Sequence, residues 1–411
     1  MSQSTLTEGQ HSLPLSRRVM AVKASPTVAL NAKAAALAKQ GAKILSFAVG
    51  EPDYPTPQIV VDRAIESLRS GRTRYGAAGG GLEIRQAFAA KLHRDNGVTF
   101  QPDEIVVGIG AKEILFHTFL TLLNDGDEVI VPSPYWVSYG DQIKAAGGVC
   151  VELPLPADLK SSPIDIQQIE RARTSRTVAF CLNSPNNPAG YVLKESELRA
   201  LGEYLVTTNW WIVADEIYEY MAFDAPHISL LKLFPQLKSR FILINGLSKS
   251  FAMTGWRVGY GAGPAHVMKL VRSLQSHSST CLPMFIEDAA LTAIAAGKDL
   301  MRREVEILRS RRDLAAGLMA DIPGVSFFKP EGAFYIFVDV RKILAQTTKL
   351  PGGANTLALS EYLLTEHQVA LVPGEAFGAP GFLRLSYATS EDNIRAGINR
   401  LATAFANLTR K

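Results

Sequence analysis

The feature that most constrains the fold of this chain is a series of short, unbroken apolar runs, each followed by a stretch with helical spacing. The runs are Glu104-Ile105-Val106-Val107, Glu128-Val129-Ile130-Val131, the segment from Thr177 to Leu182, Trp211-Ile212-Val213-Ala214 and Phe241-Ile242-Leu243-Ile244. A strand apolar on both faces must be covered on both, and strands joined through helices run parallel. Helical spacing over Ala111 to Leu123, Tyr135 to Ala146 and Glu195 to Thr207 supplies the covering layers. The pattern therefore predicts an α/β chain whose large domain has a mainly parallel sheet covered by helices.

Beyond Ser276 the pattern shifts to long helices, notably Leu300 to Met319. A strand follows over Ala333 to Val338, then a helix over Leu357 to His367, a strand over Phe382 to Ser386 and a terminal helix over Ser390 to Leu408. That tail reads as a smaller α+β domain. Ahead of the sheet, Thr27 to Gln40 reads as an Ala-rich helix stopped by Gly41. The expected division is a disordered N-terminal extension over 1–13, the N-terminal part of the small domain over 14–56, the large domain over 57–300 and the C-terminal small domain over 301–411. A chain of 411 residues is too long for one ordinary core, which agrees with two domains.

Composition excludes several function classes. A net charge of +4 with scattered basic residues gives no concentrated face for nucleic acid. No apolar run reaches the ~18–20 residues that span a bilayer, and the polar stretch from Met1 to Leu13 has no apolar core for a secretory signal. Cys150, Cys181 and Cys281 are odd in number and widely spaced, which argues for a reducing compartment without disulfides. Cytoplasmic location is the expectation. The seven histidines form no metal-binding spacing, so no metal is expected.

The chemistry gathers where strands end. In open parallel sheets, ligands sit outside the carboxyl ends of the strands. After the first run come Gly108-Ile109-Gly110-Ala111-Lys112, whose backbone N–H groups at a helix start suit a phosphate. Glu113 stands where a dinucleotide fingerprint would need its third glycine, which argues against a nicotinamide dehydrogenase. After the third run come Asn183-Ser184-Pro185-Asn186-Asn187-Pro188, which fit a turn as well as an amide-rich ligand site. Asp215 closes the fourth run, where a buried carboxylate needs a cation or donors, or serves as a helix cap. After the fifth run comes Lys249, among small residues, with Arg257 eight positions on. Desolvation there would favour the neutral amine, which is how a lysine becomes a Schiff-base nucleophile; alone, the residue also fits a solvated loop.

Taken with Val49-Gly50-Glu51-Pro52-Asp53, Tyr75 with Gly80 and Arg85, Pro134-Tyr135-Trp136-Val137-Ser138-Tyr139 and Arg384-Leu385-Ser386-Tyr387, these motifs resemble class I (fold type I) pyridoxal-phosphate (PLP) aminotransferases. Within them the chain is similar to the bacterial aspartate-aminotransferase-like subgroup, from about Ser16 to Leu408. The resemblance implies that Lys249 holds PLP covalently and shuttles a proton, and that Asp215 pairs with the pyridinium nitrogen, keeping the ring an electron sink. It implies Asn187 and Tyr218 on the phenolic oxygen and Trp136 against the ring face. Gly110, Ala111, Lys112, Ser248 and Arg257 would hold the phosphate, and Tyr75 would reach it from the other subunit of a homodimer with shared sites. Arg384 would clamp the substrate carboxylate with Gly50 and Asn187. Lys112 matches a position near the distal carboxylate of aspartate, although it also fits a solvated helix residue, and Ser25 and Thr27 match a segment that closes over the substrate.

The implied reaction moves an amino group between an amino acid, aspartate or glutamate, and a 2-oxo acid by a ping-pong route. An aromatic or prephenate aminotransferase, a PLP lyase or oxidase, and a non-catalytic PLP sensor are the competing readings. The chain departs from the family pattern over His277 to Glu287, at Ala189 and in the run Gly79-Gly80-Gly81, whose glycines are expected to loosen the Tyr75 loop.

Overall fold

A computed structural model describes residues 15–22, 26–154, 164–347 and 350–410. The expected extension over 1–13 and the candidate Ser25 lie outside the described residues. In chain order the strands are β1 (Leu45–Ser46), β2 (Ile105–Ile109), β3 (Glu128–Pro132), β4 (Val149–Leu153), β5 (Thr177–Asn183), β6 (Trp211–Asp215) and β7 (Phe241–Gly246). They continue with β8 (Val258–Ala262), β9 (Ser326–Phe327), β10 (Tyr335–Asp339), β11 (Val369–Ala370), β12 (Val372–Pro373) and β13 (Phe382–Ser386).

Seven strands form one sheet in the order β2-β8-β7-β6-β5-β3-β4, with β8 alone antiparallel to its neighbours. Side chains alternate between its two faces as strand geometry requires. Val106, Val129, Val131, Val213, Ile242 and Ile244 enter one apolar core, while Val107, Ile130, Phe180, Ile212 and Leu243 enter the other. Both faces are thus apolar, which is why the sequence shows unbroken runs instead of alternation. The register sets Asn183 beside Asp215, and Asp215 beside Ile244, at the carboxyl ends of β5, β6 and β7.

A second, antiparallel sheet has the order β12-β13-β10-β9, and β1 pairs in parallel with β11. The helices Arg302–Ala320 and Glu391–Thr409 pack with this sheet through Leu308, Ala315, Met319, Ile394, Ile398 and Leu401. The β1–β11 pairing ties residues 45–46 to the C-terminal part of the chain, and the following residues 48–56 lead toward the end of β7. The bridge between Ala222 and Gly332 and the Gly332 N–H donated to Gly190 O (2.8 Å) fasten the two sheets along one seam.

Three local expectations are corrected. The helix expected from Tyr135 begins at Ser138. Tyr135 is drawn off it, donating its N–H to Phe377 O (3.2 Å) and its phenol to Glu152 (2.8 Å), so Trp136 sits on a loop. The strand expected from Ala333 begins at Tyr335, because Ala333 has φ of 56°, a left-handed conformation that cannot continue a strand. The glycine run does not loosen the Tyr75 loop. Gly79 and Gly80 have φ of 78° and 87°, and a Cβ on them would lie 2.7 Å from Arg272 Cγ and 2.9 Å from Val107 Cβ. These glycines let the loop pack tightly against β2, and Val107 N–H donates to Gly79 O (2.9 Å).

Candidate active site

At the carboxyl ends of β5, β6 and β7 lies a cavity of ≈ 410 Å³. Its walls include Thr27, Gly50, Ala111, Lys112, Trp136, Asn187, Asp215, Tyr218, Ser248, Lys249, Arg257 and Arg384. These are nearly all the residues singled out from the sequence, collected from the two sheets and from the helix near the N-terminus. Gly110 stands behind the wall: a Cβ there would lie 2.4 Å from a terminal nitrogen of Arg257. At φ of 80° this position suits glycine on both counts, and the arginine lies against bare backbone. Gly259 has the same use, since a Cβ there would sit 2.0 Å from Ala111 N. The start of the helix Ala111–Leu122 therefore rests directly on β8, with Arg257, itself at φ of 57°, one residue before that strand. Tyr75 is the exception: it is 86% exposed and lines no part of this cavity.

Asp215 is buried at the end of β6. Its carboxylate accepts from the Tyr139 phenol (2.7 Å) and from Ile217 N–H (3.1 Å). Asn183 donates its side-chain amide to the Asp215 carbonyl (2.9 Å), fixing the strand end. Burial pushes the Asp215 carboxyl up to about 6, against the pull of the Tyr139 and Ile217 hydrogen bonds. A carboxylate so placed is stabilised as an anion by a cationic partner facing it.

The Lys249 amine donates to Gly50 O, linking the end of β7 to the segment after β1. Burial lowers its pKa to about 8; Glu51 acts against that shift, and Arg384, Arg257 and Lys112 act with it. A lysine in that range is a competent amine nucleophile and proton carrier near neutral pH.

Arg384, in the middle of β13, is buried. It donates to Asn187 Oδ1 (3.1 Å) and Ala48 O (2.8 Å), and lies over the Tyr335 ring at 4.4 Å. Among the described residues its Nε has no hydrogen-bond partner. The Tyr218 and Tyr335 hydroxyls are 2.9 Å apart, and Asn187 donates to the Tyr218 hydroxyl (3.4 Å). Burial raises the Tyr218 phenol well above its ordinary value, so it remains a donor. Lys112 lies over the Trp136 indole at 4.9 Å, an arrangement in which the ring face attracts the ammonium.

Among the wall residues to which the sequence reading assigned no role of their own are Tyr139, Tyr335 and Asn183, the last read only within an amide-rich turn. Asn183 was readable as the polar residue closing an apolar strand. Tyr139 lies in a motif that carried the resemblance, but only the fold aims its hydroxyl at Asp215. Tyr335 belongs to a sheet remote in sequence, with no local motif to mark it.

Residues 42–401 match the family described as "Aminotransferase class I and II". This chain belongs to that family. Among its relatives, a probable aspartate/prephenate aminotransferase of Aquifex aeolicus is 42% identical, covering 96% of this chain and 99% of the relative. An aspartate aminotransferase of a Bacillus species, strain YM-2, is 39% identical, covering 94% of this chain and 98% of the relative. The aspartate aminotransferase of Thermus thermophilus, solved with maleate, superposes with a TM-score of 0.87 at 40% identity, covering 95% of this chain and all of that one. The Rhizobium meliloti enzyme gives a TM-score of 0.90 at 35% identity, covering 97% and 100%. The aminotransferase thus has the fold type I architecture that the resemblance implied, with the covered, mainly parallel sheet that its strand pattern predicted. Among its described residues no helix is long and apolar enough to cross a membrane.

Proposed function

We propose that this aminotransferase uses PLP to move an amino group between an acidic amino acid, aspartate or glutamate, and a 2-oxo acid. The observation that carries the reading is the convergence of an amine, a buried carboxylate and two arginines in one cavity. The residues fit the cofactor. A buried carboxylate with a raised pKa suits a pyridinium nitrogen, and the backbone-seated Arg257 beside a helix start suits a phosphate.

When bound, PLP supplies an aldehyde for amine capture and a ring that accepts the electron pair left at Cα on deprotonation. Lys249 would hold the aldehyde carbon and, once released, carry the proton from Cα on its Nζ. Asp215 would keep the proton on the ring nitrogen, and Tyr139 would hold its carboxylate in place. Arg257, Ser248 and the N–H groups of Ala111 and Lys112 would take the phosphate, with Gly110 giving the arginine room. Asn187 and Tyr218 would donate to the phenolic oxygen, and the Trp136 indole would cover one ring face. Arg384, with Asn187 and Gly50 beside it, would grip the α-carboxylate through the fork that suits this anion. That grip fixes which bond at Cα faces the ring.

The choice of an acidic donor rests on Lys112, with Thr27 lining the same cavity. Desolvation and the neighbouring Arg257 lower the Lys112 pKa, an environment in which a second carboxylate would be favourable company. The Thermus relative was solved with maleate, itself a dicarboxylate. A second acceptor, prephenate, is favoured by the name of the Aquifex relative. Tyr75 is read as entering the site of a second copy, which makes a homodimer with shared sites the working form. Residues 14–56 and 301–411 are read as one unit around the antiparallel sheet, 57–300 as the cofactor-binding unit, and the cytoplasm as the compartment.

The test is a panel of amino donors given singly to the holoenzyme, following conversion of the bound cofactor to its amine form. Aspartate and glutamate should convert it fastest. Release of ammonia or pyruvate without a keto acid present would instead indicate lyase or oxidase chemistry.

A further inference from the structure

We infer that Cys281 and Glu287 are positioning residues for Tyr75: they grip the backbone that follows it and so set where its ring leaves the chain. The inference rests on the reading that Tyr75 serves a neighbouring subunit's site.

Tyr75 makes no use of its own cavity, yet its loop is held at both sides by one segment. On the near side, Arg72 pairs with Asp288, which also accepts from the Ser67 hydroxyl. On the far side, Gly76 N–H donates to Cys281 Sγ (3.3 Å) and Gly81 N–H donates to Glu287 Oε1 (3.4 Å). Cys281, Glu287 and Asp288 are all buried. The fit is close: a Cβ on Gly76 would lie 3.3 Å from Met284 Cγ, and one on Gly81 would lie 3.3 Å from Glu287 Oε2.

Just before the gripping residues, Thr280 has φ of 67°. A β-branched residue rarely adopts that conformation, and its cost is borne only where the surroundings enforce it. Here it turns the chain out of the helix Ala265–Ser276 so that Cys281 meets Gly76. The gripping residues lie in the stretch from 277 to 287 that departs from the family pattern. The departure therefore bears on how Tyr75 is aimed, beyond any direct effect on substrate.

A purely structural role would change stability without acting through the Tyr75 hydroxyl, so the test is a double-mutant cycle on the purified holoenzyme. Cys281→Ala should raise the PLP dissociation constant about 3- to 10-fold, the range for one hydrogen bond. Cys281→Ser, which keeps an acceptor for Gly76 N–H, should restore most of that affinity. In a Tyr75→Phe background, Cys281→Ala should cost nothing further, because both changes disable the same contact. Glu287→Met run through the same cycle gives a second, independent reading. Should the losses simply add, these residues do not act through Tyr75 and the inference fails while the role of Tyr75 stands. If Tyr75→Phe leaves PLP affinity unchanged, the reading of Tyr75 falls, and this inference with it.

Discussion

The floor and the rim of the cavity are built differently. On the floor, Asp215, Asn183 and Arg384 are buried, emerge from hydrogen-bonded strands and are held by two or more partners each. Around the rim, Lys112 is exposed at a helix start, Trp136 is half-buried on a loop, Thr27 comes from a helix near the N-terminus, and the neighbouring Val28 is exposed. Rigid groups on strand ends suit chemistry, which tolerates little displacement of the reacting atoms. Side chains on loops and helix ends can change without disturbing that geometry, which suits selection among substrates. On the proposed reading, the comparison assigns the reaction type and the substrate preference to separable sets of residues, strand-borne groups for the one and loop and helix-end groups for the other.

Four changes would break or sharpen that separation. Lys249→Ala should cost the most, lowering turnover with every donor by ~10²–10⁴-fold or more, since both amine capture and proton transfer are lost. PLP should still bind through the phosphate contacts, as its absorbance after gel filtration would show. Asp215→Asn should lower turnover ~10²–10³-fold, the range for removing one preorganised charge, again for every donor. Lys112→Ala should act on the rim only, reducing kcat/KM for aspartate ~10-fold or more, the scale of a charge-assisted hydrogen bond, while sparing alanine. Equal losses for both donors would show that Lys112 does not select the acidic side chain.

The smallest effect concerns pH. Burial holds the Lys249 amine near 8, and Glu51 acts to raise it. Capture of PLP by the apoenzyme needs the neutral amine, so its rate should rise with pH through about 8 and level off above. Glu51→Gln removes the opposing negative charge, so that midpoint should move to lower pH. A stopped-flow pH series on both proteins reads the shift. No shift, or one toward higher pH, would show that Glu51 does not act on the amine.

Much of the floor was legible in the sequence because its residues terminate apolar runs. Asp215 after Trp211–Ala214 and Lys249 after Phe241–Ile244 mark their strand ends without any help from tertiary structure. Arg384 was legible only through a family motif, because its place in the site depends on β13 pairing with β10 and on the seam between two sheets. Tyr335 was not legible for the same reason, since it is one aromatic among several in Phe334-Tyr335-Ile336-Phe337 until that pairing turns it toward Tyr218. The glycine run was misread because conformational freedom was counted without the neighbours. Arg272 and Val107, distant in sequence, convert that freedom into close packing.

The claim beneath all of this is that one amine, at the end of β7, carries the cofactor. Borohydride reduction of the holoenzyme, followed by digestion and mass spectrometry, tests it most directly. The account predicts a phosphopyridoxyl group on Lys249 in the peptide containing Leu247-Ser248-Lys249-Ser250. A label on any other lysine, or none in protein that holds PLP, would contradict it.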